Sequence, residues 1–216
     1  MHKDSKRLDG IDYLEVLNKV LLSTGYLAPI QYYAILIQHS NCQIEYHEHF
    51  IKQSIRNRCN IYGANGKIRL TIPVKRKQRN KILVKDIRIC YKENWQKKHW
   101  KTIQSAYNSS PFFKYYENEL YPCFQYQEEY LIQFNTKLQN IILNLLYEKS
   151  ETNISLKYEN GINYNDFRNH NWEKEKHNEY QQVFSEKHGF IKNLSILDLL
   201  CNLGNETTQY LQKIII

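Results

Sequence analysis

Glycine, proline and long apolar runs are all scarce in this sequence. Its 216 residues include 7 Gly and 4 Pro, and 42% of them are hydrophobic, which excludes a disordered or low-complexity chain. No apolar run approaches the roughly 18 to 20 residues that cross a bilayer, so no transmembrane segment is predicted. The basic start of the chain lacks the apolar core and the cleavage site of a signal peptide. We therefore expect a cytoplasmic protein.

Paired metal ligands are also missing. The 5 cysteines stand singly, without a Cys-x-x-Cys pair, and a structural zinc site needs paired ligands at short spacing. An odd number of cysteines without framework spacing is typical of a reducing compartment. We predict no metal site and five free thiols.

The formal net charge of +8 is compatible with a nucleic-acid or membrane-surface partner. However, the basic residues are spread out, and abundant Asn, Ile, Lys and Tyr (18 Tyr) indicate the codon bias of an AT-rich genome. The one dense basic run, residues 75–81, lies between two apolar segments and predicts a solvated loop. We therefore predict no nucleic-acid partner.

The first part of the domain has the pattern of a βαβ unit. Residues 1–19 are polar and predict an N-terminal extension, and residues 20–216 have the length of a single domain. Residues 20–23 predict a strand, residues 30–38 a buried helix and residues 41–46 a second strand. This order favours a parallel pair with a right-handed crossover.

A β-hairpin follows. Asn65-Gly66 lies between the alternating runs 58–62 and 67–74, and both residues of an Asn-Gly turn accept positive φ. Residues 82–89 predict a further strand.

The second half of the chain is rich in predicted helices. Asn94 can cap one helix, Ser110 with Pro111 can open another, and a long amphipathic helix spans residues 131–145. Residues 154–158 predict a strand, residues 160–180 a loop, and the end is helical from Ser195. The predicted fold class is therefore α/β (or α+β), with a mixed sheet.

Four segments carry a family resemblance. The first is Tyr26-Leu27-Ala28-Pro29 with Tyr32-Tyr33; the second is residues 50–58 with Asn65-Gly66 and residues 70–74; the third is Asn94-Trp95, His99, Gln104, Tyr107 and residues 111–113; the fourth is residues 190–204. In this order and spacing, over residues 20–212, they resemble the WbqC-like family.

The resemblance indicates the pathway in which the protein acts more clearly than the reaction that it catalyses. Members commonly lie among genes of surface-polysaccharide and O-antigen biosynthesis, and a glycine (aminoacyl) transferase role has been suggested. The implied function is a bacterial transferase that moves an aminoacyl or acyl group from an anionic activated donor to an amino sugar. The alternative is a non-catalytic accessory or ligand-binding protein of the same pathway. The resemblance names no cofactor.

The sequence departs from the family at several positions. Leu22, Ser23 and Thr24 replace a His-Gln-Pro that many members carry, and Gln31 replaces a Gly. The acidic pair of the second segment falls on Tyr46 and His47, with Glu45 and Glu48 on either side. The missing His-Gln-Pro favours the accessory alternative.

Two arginines are the main candidates for substrate binding. Arg56 and Arg58 enter a predicted strand and should share one face. Because burying unpaired guanidinium groups is costly, an anionic partner is expected. It is either Glu45 or Glu48, or a ligand phosphate or pyrophosphate. Nucleotide sugars and phosphopantetheine-bound acyl or aminoacyl donors both fit.

Four other residues complete the candidate site. Lys52 lies close to the arginines in sequence, and Asn57 can orient the ligand. Tyr26 follows the first strand, where open α/β sheets bind ligands. His99, among apolar residues of a helix, is either a hydrogen-bonded core residue or the catalytic general base.

One further pair is interpreted structurally. Ser195 and Asp198 have the spacing of a capping box, and Gly204 follows as the residue that ends that helix.

Overall fold

The computed structural model describes residues 19–75, 81–147, 152–172 and 178–216. Its strands are β1 (Lys19–Ser23), β2 (Asn41–Glu45), β3 (Arg58–Gly63), β4 (Gly66–Thr71), β5 (Asn153–Ile154) and β6 (Asn165–Asp166). Its α-helices are α1 (Ile30–Gln38), α2 (Trp95–Tyr107), α3 (Phe113–Leu120), α4 (Leu131–Leu145), α5 (Ser185–His188), α6 (Ile196–Leu203) and α7 (Thr207–Gln212). The predicted N-terminal extension, apart from Lys19, and the centre of the basic run at residues 75–81 lie outside the described residues.

The predicted βαβ unit is confirmed. β1, α1 and β2 follow one another, and the two strands pair in parallel with Ser23 opposite Glu45. β6 adds to the other side of β1 and β5 to the other side of β2, also in parallel, so the sheet order is β5-β2-β1-β6. Helix α1 is buried over most of its length, as expected of a crossover helix that lies inside the molecule.

The predicted hairpin is confirmed, and it forms a separate two-stranded sheet of β3 and β4. Gly63 pairs with Gly66, so the turn residues are Ala64 and Asn65 rather than Asn65 and Gly66. Within this turn φ is positive at Gly66 (97°) and not at Asn65. With this hairpin, the parallel sheet and the helix-rich second half, the α/β fold class is confirmed.

Two predicted elements are wrong. Residues 82–89 form a short 3-10 turn, Val84–Asp86, instead of a strand. Residues of this segment form isolated β-bridges with three different segments, at His49, Val74 and Tyr130. A regular strand would instead pair with a single neighbouring strand along its length. Ser110 does not cap α3; its hydroxyl donates to the Tyr107 carbonyl at 2.6 Å. It therefore closes the preceding helix, and α3 begins three residues later.

Two predictions for residues 154–180 need correction. The predicted strand 154–158 pairs only as Asn153–Ile154, because its neighbour β2 ends at Glu45. Residues 160–180, predicted as a loop, contain β6. This strand consists of two exposed polar residues, Asn165 and Asp166. The sequence therefore has no hydrophobic alternation there that would predict a strand.

Helix α6 begins as expected but its acidic residue has another role. The Ser195 side chain accepts from the Leu197 amide, so Ser195 caps the helix. Asp198 does not reach back to complete a capping box. Its carboxylate is fully buried and accepts from the Tyr180 hydroxyl at 2.6 Å and from the Gln182 amide at 2.9 Å.

Gly204 ends α6 in a conformation that only glycine adopts easily, with φ 57° and ψ −125°. A Cβ there would lie 2.5 Å from Cδ1 of Phe112. We expect Gly204→Ala to lower the free energy of unfolding by about 2 kcal/mol, from backbone strain and overpacking together. The matched control is Gly189→Ala, at φ 73° with no atom within 4 Å of the added Cβ. Urea denaturation should show a smaller loss of unfolding free energy for Gly189→Ala than for Gly204→Ala. Equal losses in the two variants would show that overpacking against Phe112 contributes nothing.

Candidate functional site

A cleft of about 580 Å³ opens at the carboxyl edge of the parallel sheet. Open α/β sheets bind their ligands at this edge because the loops after the strands converge there. Its walls come from the segments after β1, β2 and β6 and from one face of the hairpin. The lining residues are Pro29, Ile51, Gln53, Ser54, Ile55, Arg56, Arg58, Asn60, Arg69, Arg168, Asn169, His170, Asn171, Trp172 and Asn193.

Arg56, one of the predicted ligands of the anion, is held by a carboxylate of the protein. It is 1% exposed, and it donates to Glu48 through Nε at 2.8 Å and through Nη2 at 2.5 Å. Nη2 also reaches the Arg168 carbonyl at 3.2 Å. Burial raises the pKa of Glu48, while the hydrogen bonds and the charge of Arg56 oppose that rise. Of the two partners that the sequence allowed, Arg56 therefore has the protein carboxylate.

Arg168, which also lines the cleft, is neutralised in a similar way. It donates to both carboxylate oxygens of Asp166, at 2.9 Å and 2.6 Å, and to the Glu159 carbonyl at 2.8 Å. Burial raises the pKa of Asp166, but the hydrogen bonds and charge of Arg168 outweigh it, so that this pKa lies below its usual value. The buried Glu45 carboxylate lies 3.6 Å from Arg168 Nη1. This wall is thus fixed by ion pairs of its own.

For Arg58 and Arg69, the part of the chain that the structure describes supplies no such neutralisation. Arg58 is opposite Thr71 in the hairpin and Asn60 is opposite Arg69, so Arg58, Asn60 and Arg69 share one face. Within residues 19–75, 81–147, 152–172 and 178–216, no carboxylate lies within 4.0 Å of either guanidinium. The buried Nε of Arg58 has no hydrogen-bond partner there. Among the described residues, these two positive charges therefore line the cleft without a counter-charge.

Arg56 and Arg58 were expected to share one face of a strand, and they do not, because β3 begins only at Arg58. Arg56 lies in a turn before β3, in which the amides of Asn57 and Arg58 donate to the Ser54 carbonyl. The two arginines still line the same cleft, but from different elements. Asn57 is buried, and its side-chain amide donates to the Ile72 carbonyl at 3.0 Å. Lys52 is exposed and is not among the residues that line the cleft.

Tyr26 and His99 contact each other, and neither belongs to the lining of the cleft. Tyr26 is fully buried, and its hydroxyl lies 2.9 Å from Nδ1 of His99. Burial lowers the pKa of His99 to about 4, although the Thr71 carbonyl opposes this. At neutral pH the imidazole is therefore uncharged, accepting from Tyr26 and donating toward Thr71. Neither residue lines the cleft.

Backbone strain is concentrated in the segments around the cleft. The non-glycine residues with positive φ in the described ranges are Leu27, Gln53, Tyr147 and Asn193. Gln53 and Asn193 line the cleft, and Leu27 lies two residues before Pro29. Such conformations cost about 1 to 3 kcal/mol each and cluster at functional sites.

Part of this cleft was not predicted from the sequence. Arg69 could have been found from the hairpin register, since it faces the same side as Arg58 once Gly63 pairs with Gly66. The segment from Arg168 to Trp172 gave only a weak signal, a dense run of polar and aromatic residues after Asp166. Its place beside β1 depends on the two-residue strand β6.

Residues 19–75, 81–147, 152–172 and 178–216 contain neither a candidate metal-ligand cluster nor a candidate membrane-spanning helix. Among those residues, no group of three or more His, Cys, Asp or Glu side chains could hold a metal ion. None of the helices described there has the length and apolar character needed to span a membrane.

Comparison with known proteins identifies the family. The model of the WbqC-like protein family matches residues 25–168 and 161–210. These matches begin in the loop after β1 and contain the hairpin, the cleft and helix α6. The comparisons with curated proteins and with solved structures found no match. Since the family model covers most of the chain, this protein belongs to the WbqC-like protein family.

Proposed function

We propose that this protein is a transferase of bacterial surface-polysaccharide (O-antigen) biosynthesis that binds an activated donor through its anionic group. The family name is linked to polysaccharide biosynthesis in general. The observation that carries the proposal is the pair Arg58 and Arg69, which face the cleft without a carboxylate among the described residues. Two guanidinium groups on one face favour a phosphate or pyrophosphate, which accepts bidentate hydrogen bonds from both.

The surrounding ion pairs support a binding role for these two arginines in particular. Arg56 and Arg168 carry their own carboxylates, Glu48 and Asp166, so they shape the cleft without needing a ligand. Arg58 and Arg69 remain as the charges that an anion would neutralise. In the proposed reaction they bind the donor and stabilise the negative charge on the leaving group.

The proposed transfer moves an aminoacyl or acyl group to an amino sugar, whose amine attacks the activated carbonyl carbon. A base must take a proton from that amine. His99 was the predicted base, and this role stays a prediction. Its low pKa, its burial and its bond to Tyr26 support a structural role better.

The alternative is a non-catalytic binding protein of the same pathway. One observation favours it: neither Tyr26 nor His99 is among the residues that line the cleft. The two functions share the anion site and differ in whether a product forms.

A thermal-shift screen with nucleotide sugars, aminoacyl adenylate analogues and coenzyme A tests the anion site. A ligand present at 100 times its Kd stabilises the native state by about 2.7 kcal/mol, which raises Tm by several degrees in a chain of this size. We expect Arg58→Ala and Arg69→Ala each to weaken the binding of the hit at least tenfold, because each removes a charge-assisted contact of about 1.5 to 3 kcal/mol.

The matched control is Arg88→Ala, which removes an arginine that pairs with the exposed Glu129 and does not line the cleft. A hit that binds all four proteins with equal affinity would place the anion elsewhere. Mass spectrometry after adding amino-sugar acceptors to the donor complex then separates a transferase from a binding protein.

A further inference from the structure

We infer that residues 153–162 dock this protein on the surface of an anionic lipid bilayer, with four apolar side chains of the segment in the interface. The inference goes beyond the proposed function and does not depend on the anion site of the cleft. It is carried by a segment that exposes its apolar side chains and buries a polar one between them.

The exposure of this segment is the reverse of the usual pattern. Leu156 is 92% exposed, Ile162 75%, Tyr158 57% and Ile154 48%. Ser155, between the first two apolar positions, is only 2% exposed. At the edge of a sheet, alternate side chains normally place apolar groups inward and polar groups outward. The fold therefore leaves four apolar side chains in water, and such a patch marks an interaction surface.

Polar contacts with the body of the protein hold the segment in this orientation. The Ser155 hydroxyl donates to the Glu45 carboxylate at 2.6 Å, and the Glu159 amide donates to the same carboxylate at 2.8 Å. Cζ of Arg168 lies 5.2 Å from the centre of the Tyr158 ring. Because these contacts fix the segment before any partner binds, its apolar side chains lose little conformational freedom on docking.

Area and charge favour a bilayer over a second copy of this chain. The four apolar side chains expose on the order of 500 Å², at roughly 200 Å² for a large side chain, whereas a standard protein interface buries about 800 Å² on each partner. The formal net charge is +8, so two copies repel each other and an anionic bilayer attracts each of them.

The composition of the segment fits the boundary between lipid headgroups and acyl chains. Leucine and isoleucine enter the apolar side of this boundary, and a tyrosine places its ring there with its hydroxyl in water. Lys157 is exposed between Leu156 and Tyr158, and a lysine can lay its stem along apolar surface while its ammonium reaches a lipid phosphate. Arg168, beside Tyr158, also lines the cleft. The docked protein therefore holds its cleft next to the bilayer.

Co-sedimentation of the full chain with vesicles tests the inference. The probes are vesicles of phosphatidylcholine alone and of equal parts phosphatidylcholine and phosphatidylglycerol. We expect the protein to bind the mixed vesicles more tightly than the neutral ones. Leu156→Ser/Ile162→Ser should lower the partition coefficient at least tenfold, since full burial of one such side chain is worth about that factor. Lys157→Gln should lower it about fivefold on mixed vesicles and leave it unchanged on neutral ones.

The matched control is Tyr115→Ser/Ile215→Ser, which removes two exposed apolar side chains outside the segment and should bind as the wild type does. Absence of binding to mixed vesicles, or an equal loss in the two double variants, would overturn the inference. Thermal denaturation of each variant checks that it is folded.

Two other occupants of the surface give different results. If a second copy covers it, analytical ultracentrifugation will show a dimer that Leu156→Ser/Ile162→Ser dissociates. If lipid headgroups bind in the cleft instead, Arg58→Ala/Arg69→Ala will abolish vesicle binding and Leu156→Ser/Ile162→Ser will retain it. Either result would overturn the inference, and neither decides whether the cleft binds a donor.

Discussion

Glu48→Leu is expected to lower the free energy of unfolding by about 3 to 5 kcal/mol, because it leaves a buried guanidinium without its carboxylate. Arg56 is 1% exposed and gives Glu48 two hydrogen bonds. Among the described residues, the other hydrogen bonds of its guanidinium go to the Ser54 hydroxyl and the Arg168 carbonyl, and neither carries a negative charge. Urea denaturation at pH 7, followed by circular dichroism, measures the loss.

The double variant Glu48→Leu/Arg56→Met is the matched control for this prediction. Since apolar residues often replace a buried ion pair at little cost, the double variant should be more stable than Glu48→Leu alone. A loss under about 1 kcal/mol for Glu48→Leu, or a further loss in the double variant, would contradict a buried ion pair. The result also bears on function, because Arg56→Ala would disturb the cleft through folding rather than through a ligand contact.

The second large effect is a pH dependence that originates at Asp198. Burial raises the pKa of this carboxyl group to about 6, against the hydrogen bonds from Tyr180 and Gln182. Between about pH 4 and pH 6 the folded state therefore binds more protons at Asp198 than the unfolded state does. This contribution to stability is complete below the unfolded pKa and is lost as the pH rises through about 6, by roughly 3 kcal/mol in total.

His99 acts in the opposite direction over the same range. Burial lowers its pKa to about 4, so between about pH 6.5 and pH 4 the unfolded state binds more protons at this position. The contribution of His99 is present above the unfolded pKa and is lost as the pH falls, again by roughly 3 kcal/mol. The two contributions largely cancel in the wild type.

Single variants separate the two groups. In Asp198→Asn, stability should fall more steeply than in the wild type as the pH falls from about 6.5 to 4. In His99→Gln, stability should instead fall as the pH rises through about 6. Urea denaturation of the three proteins at half-unit steps from pH 4 to pH 8 tests this. If both variants keep the wild-type profile, neither group has the environment described above.

Local sequence signals account well for the elements whose partners are close in the chain. The apolar runs of β1 and α1, the alternation of the hairpin and the cap at Asn94 each depend on neighbouring residues, and each is confirmed. The strand β6 has no such signal, since its two residues are polar and exposed. Its partner β1 lies far from it in the sequence, so the pairing forms only when the chain folds.

The site was predictable only in part for the same reason. The positions of Arg56 and Arg58 indicated an anion site, and both do line the cleft. Which arginine is neutralised by the protein depends on Glu48 and on Asp166 beside Arg168, and these pairings are known only once the chain is folded. Of the two predicted arginines, only Arg58 is therefore kept as a proposed ligand contact, and Arg69 joins it.

The most direct test of the anion site is a crystal structure of this protein with bound pyrophosphate. We expect electron density for the anion within hydrogen-bonding distance of both guanidinium groups, Arg58 and Arg69, while Arg56 stays paired with Glu48. An unoccupied cleft with pyrophosphate bound elsewhere, or a protein carboxylate placed between Arg58 and Arg69, would contradict the proposed site.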